Sequence, residues 1–115
     1  MPDILLVMTN CPDADSAARL AAALLERRLA ACVSEGAPVR STYWWQGALE
    51  TADEIPLAIK CTRDRYAQVE EAIRELHPYQ VPEILALPVA TGFGPYMQWI
   101  DDMTRPEALM RNPMP

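Results

Sequence analysis

The seven residues Ser41-Thr42-Tyr43-Trp44-Trp45-Gln46-Gly47 constrain this chain more than any other stretch. A β-branched lead-in followed by three consecutive aromatics is strand composition, and Gly47 then marks a turn. With Ala48, Leu49 and Glu50 beyond the turn and a second β-rich run over residues 55–61, the pattern predicts a long hairpin. Neighbouring strand residues point to opposite faces, so Trp44 and Trp45 cannot both lie under one small core. One of them needs another cover. Aromatics are enriched at the cores of interfaces, and we read a contact with a second chain here in preference to a lone surface aromatic.

At 115 residues the chain makes one domain, near the size where association adds useful burial. Half of its residues are hydrophobic, which excludes disorder. The net charge is -6 and the ten Lys and Arg are scattered, so a phosphate-backbone partner is excluded for want of a basic patch. Cys11, Cys32 and Cys61 are odd in number, with no Cys-x-x-Cys pair, which fits a reducing compartment and not a disulfide framework. Met1-Pro2-Asp3 carries an acid where a secretory leader carries a base, and the apolar run over residues 4–8 is too short to cross a bilayer. The expectation is a cytoplasmic protein without a membrane partner.

Residues 4–9 form a continuous apolar run, the pattern of a central strand buried on both faces. Asp13, Asp15 and Ser16 supply capping oxygens for a helix in which Ala17, Leu20, Ala21, Leu24 and Leu25 recur at helical spacing, with Arg27 and Arg28 in its last turn. An extended segment begins near Leu29 and is interrupted over residues 34–38, where Gly36 and Pro38 suggest a bend or bulge. In the return strand Ile55, Leu57, Ile59 and Cys61 share one face. Pro56 cannot donate to a ladder and belongs at the strand's start or at a bulge. Thr62 and Asp64 cap a second helix with Tyr66, Val69, Ile73 and Leu76 on its apolar face, ended by Pro78. A fourth strand over residues 84–89 is placed at an edge by Pro88. A last helix follows Gly94, with Tyr96, Trp99, Ile100 and Met103 on one face.

The order is β-α-β-β-α-β with an extra C-terminal helix. That is the α+β, ferredoxin-like sandwich, with both main helices on one face of an antiparallel sheet and a long hairpin between the second and third strands. The domain spans residues 1–104, and residues 105–115, with three prolines, read as a poorly packed tail.

The single histidine and the short Gly92-Phe93-Gly94 stretch supply no catalytic constellation or phosphate loop, and the chain is read as no enzyme. Thiolate, imidazole and thioether are ligands that suit copper and other soft cations. Cys11 is placed in a loop after the first strand and His77 in a loop after the second helix, where functional side chains collect; these two are the candidate metal ligands. Cys32 and Cys61 are read as core. The stiff, polar-aromatic stretch His77-Pro78-Tyr79-Gln80-Val81-Pro82-Glu83 could line a pocket between subunits together with Lys60 and with Tyr43 or Trp45 from the hairpin.

Four motifs carry a resemblance. They are Leu29-Ala30-Ala31-Cys32-Val33, Ser41-Thr42-Tyr43-Trp44-Trp45-Gln46-Gly47, His77-Pro78-Tyr79-Gln80-Val81-Pro82-Glu83-Ile84 with Ala86-Leu87-Pro88, and Tyr96 with Trp99-Ile100. In this order and spacing, over residues 4–103, the chain resembles the CutA divalent-cation tolerance family. The resemblance implies a ferredoxin-like homotrimer built on the long second and third strands, similar in architecture to PII signalling proteins. It also implies a cytoplasmic setting and a part in tolerance to copper and other divalent cations. Proposed copper ligands in that family are a cysteine near the end of the first strand and a His-His pair before the proline. Here those positions read Thr9, with Cys11 two residues on, and Leu76-His77, so a site for Cu(I), Cu(II) or another divalent cation rests on His77 and Cys11. Ser34 stands where the family commonly has Asn, and Pro56 where it has an aliphatic residue.

The function read from all this is a homotrimeric divalent-cation tolerance protein, responding to metal ions with copper binding. The alternative is a PII-like trimeric sensor of a small molecule held in the clefts between subunits. An RNA-binding module of the same fold is disfavoured by the acidic charge.

Overall fold

The computed structural model of the chain describes residues 2–105. It contains β1 (Ile4–Cys11), α1 (Ala14–Glu26), β2 (Cys32–Glu35), β3 (Val39–Trp45), β4 (Ala48–Thr62), α2 (Tyr66–Leu76), β5 (Leu85–Pro88) and α3 (Gly94–Met103), with a 3-10 turn at Arg63–Arg65 leading into α2. The result is a mixed α+β fold with three helices and five strands in which every pairing is antiparallel. The strand order is β2-β4-β1-β5, and β3 pairs with the other half of β4. Among the described residues no helix is long and apolar enough to cross a membrane. The expected tail lies outside the described residues, apart from Arg105, which pairs with Asp101 at 3.3 Å.

Local chemistry accounts for most boundaries. Asp13 caps α1 by accepting from the Ser16 amide at 2.8 Å, and these bonds hold its carboxyl below the usual range. Pro78 pushes His77 to ψ 135°, out of the helical region, so α2 stops at Leu76. The turn between β3 and β4 has φ of 50° at Gln46 and 82° at Gly47, the double left-handed turn whose twist suits a hairpin. Pro88 does sit on an edge strand.

The register of β4 changes midway. Glu35 lies opposite Leu57, but Val39 lies opposite Glu54, so residues 36–38 face only Ile55 and Pro56. This is a one-residue bulge. Pro56 lies there, as its missing N–H requires, and its carbonyl accepts from the Gly36 amide at 2.9 Å. A Cβ on Gly36 would come within 2.9 Å of the Pro56 ring, which explains the glycine.

Leu5, Val7 and Cys11 of β1, Leu57, Ile59 and Cys61 of β4, Leu20 and Leu24 of α1, and Val69 and Ile73 of α2 form one buried cluster. Ile4 points the other way and meets Met97 and Ile100 of α3. Several expectations are corrected here. The run at residues 4–9 is central in the sheet but not covered on both faces. Met8 is 39 % exposed, because α3 reaches only the end of the second face. Arg27 and Arg28 fall beyond the last turn of α1, where Arg28 takes φ 57°. The Thr62 side chain makes no capping bond, since the 3-10 turn intervenes before α2. Leu76, Tyr96 and Trp99 are exposed, and α3 buries Met97 instead, so the buried stripes are narrower than the spacing suggested.

Candidate functional site

β4 is 15 residues long while β1 covers it only from Ile55 to Thr62. Seven cross-strand pairs of β3 and β4, from Val39↔Glu54 to Trp45↔Ala48, therefore run on as a two-stranded ribbon about 24 Å long. Cross-strand partners share a face, so Val39, Ser41, Tyr43 and Trp45 lie with Glu54, Ala52, Glu50 and Ala48, and Trp44 lies with Leu49 on the reverse. The sequence required a separate cover for one tryptophan. The structure leaves both open, Trp44 at 72 % and Trp45 at 38 %.

Between the ribbon and the loop after α2 lies an open groove of about 740 Å³, lined by residues 41–45, Glu54 and residues 78–83. Tyr43, Trp45, Tyr79 and Glu83 thus do meet as the polar-aromatic pattern suggested. His77 stands just behind them, its ring 4.8 Å from that of Tyr79. Lys60 does not join them. It lies six residues along β4 from Glu54, about 20 Å away on an extended strand, and donates to the Ser34 hydroxyl at 2.6 Å beside the Cys32 thiol.

Sequence reading missed Glu54. Its polar neighbourhood Thr51-Ala52-Asp53 disguised a strand, and only pairing with β3 reveals it. Glu54 is 7 % exposed and lies close enough to Tyr79 for its carboxylate to act on that phenol. Burial first, and then the Glu54 carboxylate, push the Tyr79 phenol well above its ordinary range, so it stays a donor. No cation pairs with Glu54 among the described residues.

The candidate metal ligands have other work. Cys11 is the last residue of β1 and not a loop residue; it is fully buried opposite Ile55. Burial, with Asp13, Glu54 and Glu35 adding to it, pushes its thiol up to about 11, which keeps it protonated near neutrality. His77 is 7 % exposed and contacts a group at each ring nitrogen. Nε2 lies 2.6 Å from the Asn10 carbonyl oxygen, which can only accept, and Nδ1 lies 3.1 Å from the Tyr79 amide, which can only donate. The ring is therefore the neutral tautomer with its proton on Nε2, and its one lone pair is engaged. Thr9, at the family's cysteine position, offers a buried hydroxyl that finds no hydrogen-bond partner among the described residues, a hard oxygen in an apolar core and a poor match for copper. No group of three His, Cys, Asp or Glu that could hold an ion occurs among the described residues. The residues present do not fit a copper centre in this fold.

The family model for the CutA1 divalent ion tolerance protein matches residues 5–103. The divalent-cation tolerance protein CutA of Thermus thermophilus is 39 % identical over 99 residues, covering 86 % of this chain and 96 % of that protein. Human protein CutA is 38 % identical over 95 residues, which is 83 % of this chain and 53 % of that one. Among solved structures, CutA1 of the psychrotrophic Shewanella sp. SIB1 superposes with a TM-score of 0.85 at 48 % identity, covering 89 % of this chain and 95 % of that one. CutA of Xylella fastidiosa superposes with a TM-score of 0.88 at 38 % identity, covering 90 % and 99 %. By sequence over nearly the whole domain and by backbone alike, the chain belongs to the CutA divalent-ion tolerance family.

Proposed function

We propose that this protein acts as a non-catalytic homotrimer of ferredoxin-like subunits in the cytoplasmic response to divalent metal ions. The observation that carries the reading is the seven-pair ribbon, which pairs with no other strand among the described residues. An isolated two-stranded hairpin is marginal in water, and one exposing Trp44 and Leu49 on the face away from Glu54 needs a neighbour. A second surface points the same way. On the sheet face that α3 leaves open, Met8, Leu85 and Leu87 are exposed and adjacent across β1 and β5. Copies of the chain supply apolar cover for both surfaces and hide the sheet edge at β5. The engaged imidazole of His77 and the buried, protonated thiols of Cys11 and Cys61 support the non-catalytic reading. Copper held by Cys11 and His77 is not part of the proposal.

The test joins assembly to tolerance. The purified chain and a Trp44→Asp, Trp45→Asp double variant are compared by sedimentation velocity, and both are returned to cells lacking the gene under Cu(II) or Zn(II) stress. The proposal requires a three-chain mass for the wild type, smaller species for the variant, and rescue by the wild type alone. A single-chain mass for the wild type, or full rescue by a dissociated variant, overturns it. Titration of the reduced protein with Cu(I), Cu(II) and Zn(II) against chelators, repeated on Cys11→Ser and His77→Ala, checks the metal side; tight binding lost in both variants would restore the copper site.

The groove favours a second reading, a PII-like sensor of a small molecule. Its volume lies within the range of small-ligand sites, and aromatic side chains and carboxylates converge on it.

A further inference from the structure

The least expected group in the molecule is the carboxylate of Glu54. It is more than nine-tenths buried and lines the groove, and the polar side chain that acts on it there is a neutral phenol, that of Tyr79. A buried carboxylate without a countercharge is costly, and a neutral neighbour offsets only part of that cost. Protein structures resolve such a group with a nearby cation. None is supplied here among the described residues, since no Lys, Arg or His lines the groove. The rim adds a second negative group, Glu83, and the chain as a whole carries -6.

The walls say what kind of cation. Tyr43, Trp45 and Tyr79 present aromatic surface, which attracts a positive charge through the ring quadrupole, most strongly where water is excluded. The groove's 740 Å³ is far larger than a bare ion fills; a water molecule's share of liquid is about 30 Å³. A divalent metal also asks for a cage of oxygen, nitrogen or sulfur ligands, and no group of three such acidic, thiol or imidazole side chains is present among the described residues.

We infer that the groove between the ribbon and the loop at residues 78–83 is a binding site for a small organic cation, an alkylammonium compound whose charge sits over Glu54 between Tyr43, Trp45 and Tyr79. The inference rests on the small-molecule reading of the groove and is independent of the metal reading. It sets this chain apart from a sensor of anionic nucleotides, because a phosphate would meet two carboxylates and no basic side chain. Glu54 takes the charge and the aromatic rings take the alkyl groups.

Choline is the probe, with 3,3-dimethyl-1-butanol as its uncharged isostere and ATP as an anionic control. The full-length protein in its native assembly is titrated with each while tryptophan fluorescence is read, and the saturating case is confirmed by calorimetry. Choline is expected to bind saturably, at least about tenfold more tightly than the isostere, with a similar loss in Glu54→Gln, which keeps the shape and removes the charge. Asp53→Asn, on the reverse face of the ribbon beside Arg40, should leave binding unchanged. Equal binding of choline and its isostere, or equal binding by wild type and Glu54→Gln, overturns the cation assignment. Saturable binding of ATP alone overturns it while leaving the small-molecule reading in place. Silence from all three compounds removes both, as does an assembly structure with a neighbouring copy's Lys or Arg already seated on Glu54.

Discussion

Replacing His77 by alanine separates two roles that the same side chain could hold. In the fold described above, the imidazole ties the end of β1 to the loop after α2, donating to the Asn10 carbonyl at 2.6 Å and accepting from the Tyr79 amide at 3.1 Å. Each bond contributes about 1 kcal/mol net, and a buried backbone group left without its partner costs about 1–3 kcal/mol. Contact with the Tyr79 ring adds about 0.5–1 kcal/mol. Since the residue is 7 % exposed, water replaces little of this, and His77→Ala should lose about 2–4 kcal/mol in the metal-free protein. Urea unfolding followed by tryptophan fluorescence, at one fixed protein concentration, should show the midpoint falling by about 1–2 M with an unchanged slope. His77→Gln, whose amide both donates and accepts, should recover part of the loss. A ligand role predicts the opposite pattern, an apo-protein nearly as stable as wild type that has lost its stabilisation by added metal. A midpoint within about 0.3 M of wild type would refute the clamp, because two buried hydrogen bonds cannot be removed so cheaply.

Three further outcomes follow from the same geometry. Gly36→Ala drives a methyl group to 2.9 Å from the Pro56 ring and should destabilise by about 1–3 kcal/mol, whereas in a Pro56→Ala background the same change should cost much less; denaturation of the four-member cycle reads the coupling. The thiols of Cys11 and Cys61, both pushed up to about 11 chiefly by burial, should resist iodoacetamide at pH 8 until urea is added, with Cys32 labelled first; peptide mass spectrometry gives the order. Asp13 has its carboxyl lowered from 3.8 by the Ser16 bonds, so its contribution to α1 is complete above about pH 4 and fades as pH falls through the lower native value. Asp13→Asn, which still accepts from Ser16, should flatten that acid limb of the stability curve, and an unchanged limb would argue against the cap.

How much of this was legible beforehand depends on the range over which each cause acts. The hairpin turn at Gln46-Gly47, the bulge opposite Pro56, the stop at Pro78 and the edge strand carrying Pro88 are all local consequences of glycine and proline chemistry, and each stands where the residues put it. Helix faces were less certain. In α3 two stripes compete at similar spacing, and the sheet beneath selects Met97 with Ile100 while leaving Tyr96 and Trp99 stacked in the open at 5.6 Å.

The sequence by itself determined the order of elements, the motifs of the family and the presence of an aromatic surface too large for one chain to cover, because periodicity, turn chemistry and composition act within a few residues. Only the tertiary structure decided what the polar side chains do. His77 finds its partner Asn10 at a separation of 67 residues, Cys11 is sealed in the core instead of standing in a loop, and Glu54 becomes a buried carboxylate at the mouth of a groove. Those outcomes depend on which strand registers against which. A change of one residue in that register alters what every side chain beyond it faces; glycine and proline announce the bulge at residues 36–38, but no local pattern announces the pairing that follows it.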